Sequence, residues 1–206
     1  MASVHLDLLT GFLLAFTINL QVGMLALLGG ILVGLPLTWS CIRGGLIGKV
    51  STFAIALMRA FPAFVLMFVL LNFFSEELQT IHTTSENLHK TILILALSTY
   101  SAAVISDAAK DSWHHYCRSE HAEASLIIPN FFRIFTILVM ASSLGAAIGV
   151  KEAVSYTLLQ IDTMVEPFDR IMTVFVVTIF FMLFFSTFRF ALYWLVRRMT
   201  KINQSR

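Results

Sequence analysis

The sequence predicts an all-α integral membrane protein of five transmembrane helices, with its N-terminus outside and its C-terminus in the cytoplasm. Three observations predict it. Of 206 residues, 58% are hydrophobic and 13% charged, which is too little polar surface for a soluble domain of this length. Phe is abundant at 19 and Pro scarce at 4, as expected where long helices face lipid and only a helix satisfies the backbone without water. The third observation is that basic and acidic connections alternate along the chain.

Apolar runs of about twenty residues, the length that crosses a bilayer, fall at 8–39, 52–74, 91–108, 126–150 and 171–196 within a single membrane domain, 1–206. The first is overlong and is expected to contain a tilted or interfacial turn ending near Pro36. The third is short and carries a polar extension. The opening MASVHLDLL lacks the basic n-region of a cleavable signal, and the apolar stretch after it is too long for a signal core. The first run is therefore expected to stay as a span.

Arg43 and Lys49 lie between the first two runs, Lys110 and Arg118 between the third and fourth, and Arg197, Arg198, Lys201 and Arg206 after the fifth. The intervening connections are acidic, with Glu76, Glu77 and Glu86 in one and Glu152, Asp162, Glu166 and Asp169 in the other. The positive-inside rule then orients all five runs without conflict. Cys41 and Cys117 fall on the cytoplasmic side, where thiols stay reduced. A net charge of +2 implies no nucleic-acid partner.

Polar groups inside apolar runs are costly and invite a reason. Arg59, Arg133 and Arg189 lie in the cytoplasmic halves of their helices, where the head group reaches the interface by snorkelling. Asn19, Gln21, Asn72, Ser142 and Ser143 either line a substrate path or join helices. Gly30 with Gly34, and Gly145 with Gly149, have GxxxG spacing, which permits close helix approach within or between subunits. No Ser/His, paired-Asp or HExxH arrangement lies within the runs, so no intramembrane enzyme is indicated.

Several stretches, in order, resemble the membrane permease subunits of ABC importers for polar amino acids, the type I, binding-protein-dependent family. The Leu-rich first run with its spaced glycines and terminal Arg43 is similar to the family's opening helix. LMRAFPAFVLMFVLLNFF is similar to its Arg-Gly-Thr-Pro segment, matched at Arg59 and Pro62, with Ala60 and Phe61 in place of Gly and Thr. ALSTYSAAVISDAAKDSW resembles the helix ending in Glu and, three residues on, Arg; Asp107 and Lys110 stand there. IIPNFFRIFTILVMASSLGAAIGVKEAV matches at Pro129, Ser143 with Leu144, residues 148–150, and Glu152. The resemblance implies a multi-pass protein of the bacterial inner membrane. It also implies a second permease subunit, an ABC ATPase that binds ATP, and a periplasmic solute-binding protein, with no cofactor on this chain.

The departure lies in KDSWHHYCRSEHAEASLIIPNFF, residues 110–132. The family carries a long cytoplasmic loop here, with a Glu-Ala-Ala and Gly pattern, whose short coupling helices dock on the ATPase. Between Asp107 and Pro129 this chain is shorter by roughly twenty residues, about thirty ångströms of helix. Glu123 and Ala124 echo the motif without its Gly, so region 109–125 reads as a shortened coupling loop. Three readings stay open. His114, Cys117 and His121 have helical spacing suited to a metal, although no partner pair elsewhere completes a tetrahedral set. The stretch otherwise serves as a solvated connection, or as an altered docking surface made of Trp113, His114, His115, Arg118, Glu120, Glu123 and Ala124.

On this reading Arg59 and Pro62 shape the gate side of the second run, while Asp107, Lys110, Pro129, Gly145 and Gly149 are structural. The function expected is the transmembrane subunit of an importer for amino acids or similar small polar solutes, as the divergent half of a heterodimer. The alternative is a permease-derived scaffold or regulatory subunit no longer coupled to an ATPase. A proton-coupled carrier is disfavoured, because it would need acidic residues deep in the spans.

Overall fold

A computed structural model describes residues 2–74, 85–118 and 127–204, with side chains over 8–74, 86–118 and 129–194. Every element in these residues is helical. Helix α1 (Ala2–Arg43) runs without a break through Pro36, where a turn is expected from the sequence. Proline removes one ladder donor, and nearby hydroxyls engage the carbonyls around it: Thr38 Oγ1 donates to Gly34 O at 2.9 Å and Ser40 Oγ to Pro36 O at 3.0 Å. Gly44 and Gly45, at φ 73° and 70°, end α1 and turn the chain into α2 (Gly45–Ala60).

The run at 52–74, expected as one span, falls on two helices. Helix α3 (Ala63–Phe74) leaves α2 at 94°. The cause is local: the ring of Pro62 pushes the preceding residue out of the helical region, and Phe61 is extended at φ −77°, ψ 117°. Helix α4 (Ser85–Cys117) is much longer than the short third run. Its polar extension stays helical because one small-residue face, Ser101, Ala102, Ala103, Ser106 and Ala109, is buried. Region 109–125, expected as a loop, is thus helix as far as Cys117.

Helix α5 (Ile127–Ala141) passes into a tight 3₁₀ segment (Ser142–Ile148) that ends at Gly149. Gly149 has φ 83° and accepts the left-handed conformation that closes the turn, with Val150 N–H donating to Gly145 O at 2.9 Å. The Gly145/Gly149 pair is therefore not a simple helix-contact face: Gly149 is needed for its backbone conformation. Gly149→Ala is expected to cost about 1–2 kcal/mol, the left-handed penalty of an L-residue, read as a lowered melting temperature in detergent. Helix α6 (Ala153–Thr163), which the hydropathy pattern does not announce, and α7 (Pro167–Gln204) are the last elements of the described residues.

Among the described residues, four helices are long and apolar enough to cross a membrane, or five if the bent α2–α3 pair forms one span. Helix α7 packs one face on α1 and presents a broad apolar outer face, with Val174, Phe175, Val176, Met182, Leu183 and Phe190 exposed. Such a surface suits lipid. The core lies between α1 and α4, where Gly30 meets Ser101 and Ala102, and Gly34 meets Ala102 and Ile105. Contacts advance together along both helices, so α1 and α4 run parallel. A second cluster joins α1 to α7 through Phe rings: Phe12 on Phe180 at 5.0 Å and Phe16 on Phe184 at 4.8 Å, both edge-to-face. This pair is parallel too, whereas α5 runs against α1, with Gly23 beside Val139 and Asn19 beside Ser142.

Candidate functional site

Of the five uncharged polar residues singled out in the apolar runs, two meet. Asn19 on α1 and Ser142 at the start of the 3₁₀ segment are both fully buried, and Glu152 joins them at 1% exposure. Asn19 Nδ2 donates to Ser142 Oγ and to Glu152 Oε2, each at 2.9 Å, while its Oδ1 accepts from Ala153 N–H at 3.0 Å. Ser142 Oγ in turn donates to Val139 O at 2.7 Å. Glu152 caps α6: Oε1 accepts from Ser155 N–H at 2.8 Å and Oε2 from Val154 N–H at 2.9 Å.

Every donor and acceptor in this knot has a partner, as burial demands. Burial lifts the Glu152 carboxyl above its ordinary range, opposed by the bonds from Val154, Asn19 and Ser155. The charge pattern places Glu152 among the acidic residues of an outer connection, and the resemblance matches it to a family acidic residue; neither indicates its burial. The buried carboxylate is visible only once Asn19, from more than a hundred residues away, is brought against it. The knot ties the first helix to the turn that launches α6.

The other three polar residues lie elsewhere. Gln21 faces outward, Ser143 is half-buried, and Asn72 sits on an open face of α3 beside Phe68, donating to its carbonyl at 2.9 Å. Across the molecule a groove of about 560 Å³ opens between α1, α6 and α7, with Phe12, Tyr156, Gln160, Asp169 and Thr173 in its wall.

At the opposite end of α1 and α4, Arg59 forms an ion pair with Asp107, joining α2 to α4 just before the bend at Pro62. The sequence spacing set Asp107 beside Lys110; the fold gives it Arg59. Both side chains are substantially exposed, at 59% and 41%, so solvent screens the pair. Asp107→Asn is expected to lower stability by less than about 1 kcal/mol, read by thermal melting in detergent.

The docking stretch divides. Trp113, His114, His115 and Arg118 lie on or at the end of α4, and Glu120, Glu123 and Ala124 fall outside the described residues. Among the described residues no three His, Cys, Asp or Glu side chains gather as a metal site. Trp113 turns toward α1, its ring 6.3 Å from Trp39, and it stacks on Tyr116 at 6.0 Å.

Comparison with solved structures bears on this architecture. A chain in the crystal structure of an amino acid ABC transporter with histidines superposes at a TM-score of 0.70, covering 95% of this chain and 97% of that one at 17% identity. This chain has that chain's fold. No family model matches, and no curated protein does. The shared architecture extends over nearly the full length of both chains.

Proposed function

We propose that this chain is the transmembrane subunit of an ABC-type importer for amino acids or similar small polar solutes. The observation that carries the proposal is the fold shared over 95% of the chain with a chain of an amino acid ABC transporter. In this reading it is the divergent half of a heterodimer in a bacterial inner membrane. It has no catalytic role and no cofactor of its own. A second permease subunit, an ABC ATPase that hydrolyses ATP and a periplasmic solute-binding protein are its partners.

Five spans are supported by helix direction. Two parallel, membrane-length helices such as α1 and α4 need a single return crossing between them, and the bent α2–α3 pair supplies it. The antiparallel α5 and the parallel α7 continue the alternation. Arg43, Lys49, Lys110 and Arg118 then share one end, which the positive-inside rule assigns to the cytoplasm. Cys117 is exposed at that end. In a Cys41→Ser background, a membrane-impermeant maleimide is expected to label Cys117 only after spheroplasts are opened; labelling of intact spheroplasts would invert the topology.

A specific feature favours a second reading, a permease-derived scaffold or regulatory subunit. Helix α4 continues to Cys117 and α5 begins at Ile127, leaving only residues 118–126 where the resembled family carries coupling helices. An ATPase that drives a conformational change must contact the two states differently, and so short a connection offers it little surface. The importer reading therefore gives the intact coupling loop to the partner subunit. Gentle purification from native membranes decides: recovery with an ABC ATPase and a second permease at near-equal stoichiometry is expected. Recovery with another membrane assembly and no ATPase would establish the scaffold.

A further inference from the structure

At the C-terminal ends of α1 and α4, three aromatic rings and a guanidinium form one exposed cluster. Arg43 lies over the Trp39 ring, its guanidinium carbon 5.0 Å from the centroid. Trp39 meets Trp113 edge-on, and Trp113 stacks on Tyr116. The rings remain open to the surroundings at 50%, 39% and 56% for Trp39, Trp113 and Tyr116. Neither the path residues nor the polar knot involves this cluster.

Its depth follows from helix length. The apolar helix Leu8–Arg43 has 36 residues, about 54 Å at 1.5 Å per residue. The hydrocarbon core is roughly 30 Å thick, so the last turns of α1 emerge at headgroup level, where Trp and Tyr concentrate. The neighbouring surface is apolar: α2 turns Leu46, Ile47, Val50 and Phe53 outward, while Gly48 packs against the end of α1 at Ser40 and Cys41. Rings and helix face together form a surface suited to acyl chains.

Charge selects the headgroup. Arg43, Lys49, Lys110 and Arg118 all belong to this end; of the carboxylates among the described residues there, Asp107 is paired with Arg59 and Asp111 stands against the rest, while Glu120 and Glu123 of the same connection lie outside the described residues. No carboxylate pairs with Arg43 among the described residues. A guanidinium held over an indole face keeps in-plane N–H donors for a bidentate phosphate contact. We propose that Trp39, Arg43, Trp113 and Tyr116 form a binding site for the headgroup of an anionic phospholipid. The proposal rests on the membrane placement above, and it is independent of transport.

The chain has three Trp residues, so Trp194→Phe confines indole fluorescence to the cluster. The purified protein is reconstituted into phosphatidylcholine vesicles containing phosphatidylglycerol, with bromine carried near the headgroup end of the acyl chains of one lipid or the other. At equal mole fraction, brominated phosphatidylglycerol is expected to act as though enriched about fivefold at the rings, the attraction of one basic side chain at an anionic surface. Arg43→Gln should abolish the excess, and Arg189→Gln, on α7, should leave it intact. Equal quenching by both lipids, or an excess that survives Arg43→Gln, would overturn the site while leaving the membrane placement standing. No quenching by either lipid would overturn both.

Discussion

Asn19→Leu is expected to destabilise the protein by about 3 kcal/mol or more, the range for leaving buried polar partners unsatisfied. Leucine keeps the branched shape of asparagine with somewhat more bulk, but offers neither donor nor acceptor. The Ala153 N–H loses its acceptor, Ser142 Oγ loses a donor, and Glu152 keeps two of its three donors. The carboxylate suffers most, because breaking a buried charged network from one side leaves charge uncompensated. Thermal melting of the detergent-purified variant, followed by fluorescence-detected size exclusion, reads the loss. Equal stability with the wild type would show that the knot is not maintained.

A pH dependence accompanies it, and its sign is determined. Burial raises the folded-state affinity of Glu152 for its proton above that of the unfolded chain. The stabilising contribution of the protonated form is therefore fully present below the unfolded carboxylate value and is lost as pH rises through the higher folded value. Asn19 opposes the shift by donating to the carboxylate. Removing it widens the window, so the deficit of Asn19→Leu should grow between acidic and neutral pH. A deficit constant across that range would mean that Glu152 does not carry the effect.

Gly34→Leu is expected to be at least as damaging. A Cβ placed on Gly34 would stand 2.7 Å from the Ala102 carbonyl oxygen and 3.3 Å from its Cα, and a backbone cannot move aside as a flexible side chain can. The two helices must separate. With them go the hydrogen bonds that close approach allows: Ser106 Oγ to Gly34 O at 2.9 Å, Thr38 Oγ1 to Ser106 O at 3.2 Å and Ser101 Oγ to Ala26 O at 2.8 Å. Overpacking costs typically about 1–3 kcal/mol, and interhelical bonds in membranes add roughly 0.6 kcal/mol each. The expected outcome is loss of the monodisperse folded species. Gly44→Ala supplies the contrast, since nothing lies within 4 Å of its added Cβ; it meets only backbone strain of about 1–2 kcal/mol.

Much of the architecture was legible in the chain. Apolar runs announced the long helices, and the spacing of Gly30 and Gly34 announced a close contact whose partner proved to be α4 of the same chain. The bend at Pro62 was written locally in the proline, yet the length of the apolar run concealed it. Helix α4 was underestimated for the converse reason: hydropathy stops near Ile105, while buried small residues continue the packing face to Ala109. Helix α6 carried too little apolar length to register, and its start depends on the cap that Glu152 provides.

The candidate sites divide along the same line. Composition and periodicity by themselves determined that this chain consists of helices suited to lipid, and charge distribution marked which ends belong together. Both are sums over local properties, so neither needs a fold. Which polar groups meet was decided only by tertiary structure. Asn19 finds Ser142 across 123 residues and Glu152 across 133; Arg59 takes Asp107 away from its sequence neighbour Lys110; Trp39 finds Trp113. Those encounters depend on helix direction and register, where a shift of one residue rotates a side chain by about 100° around its helix, and on the closeness that small residues permit between two backbones.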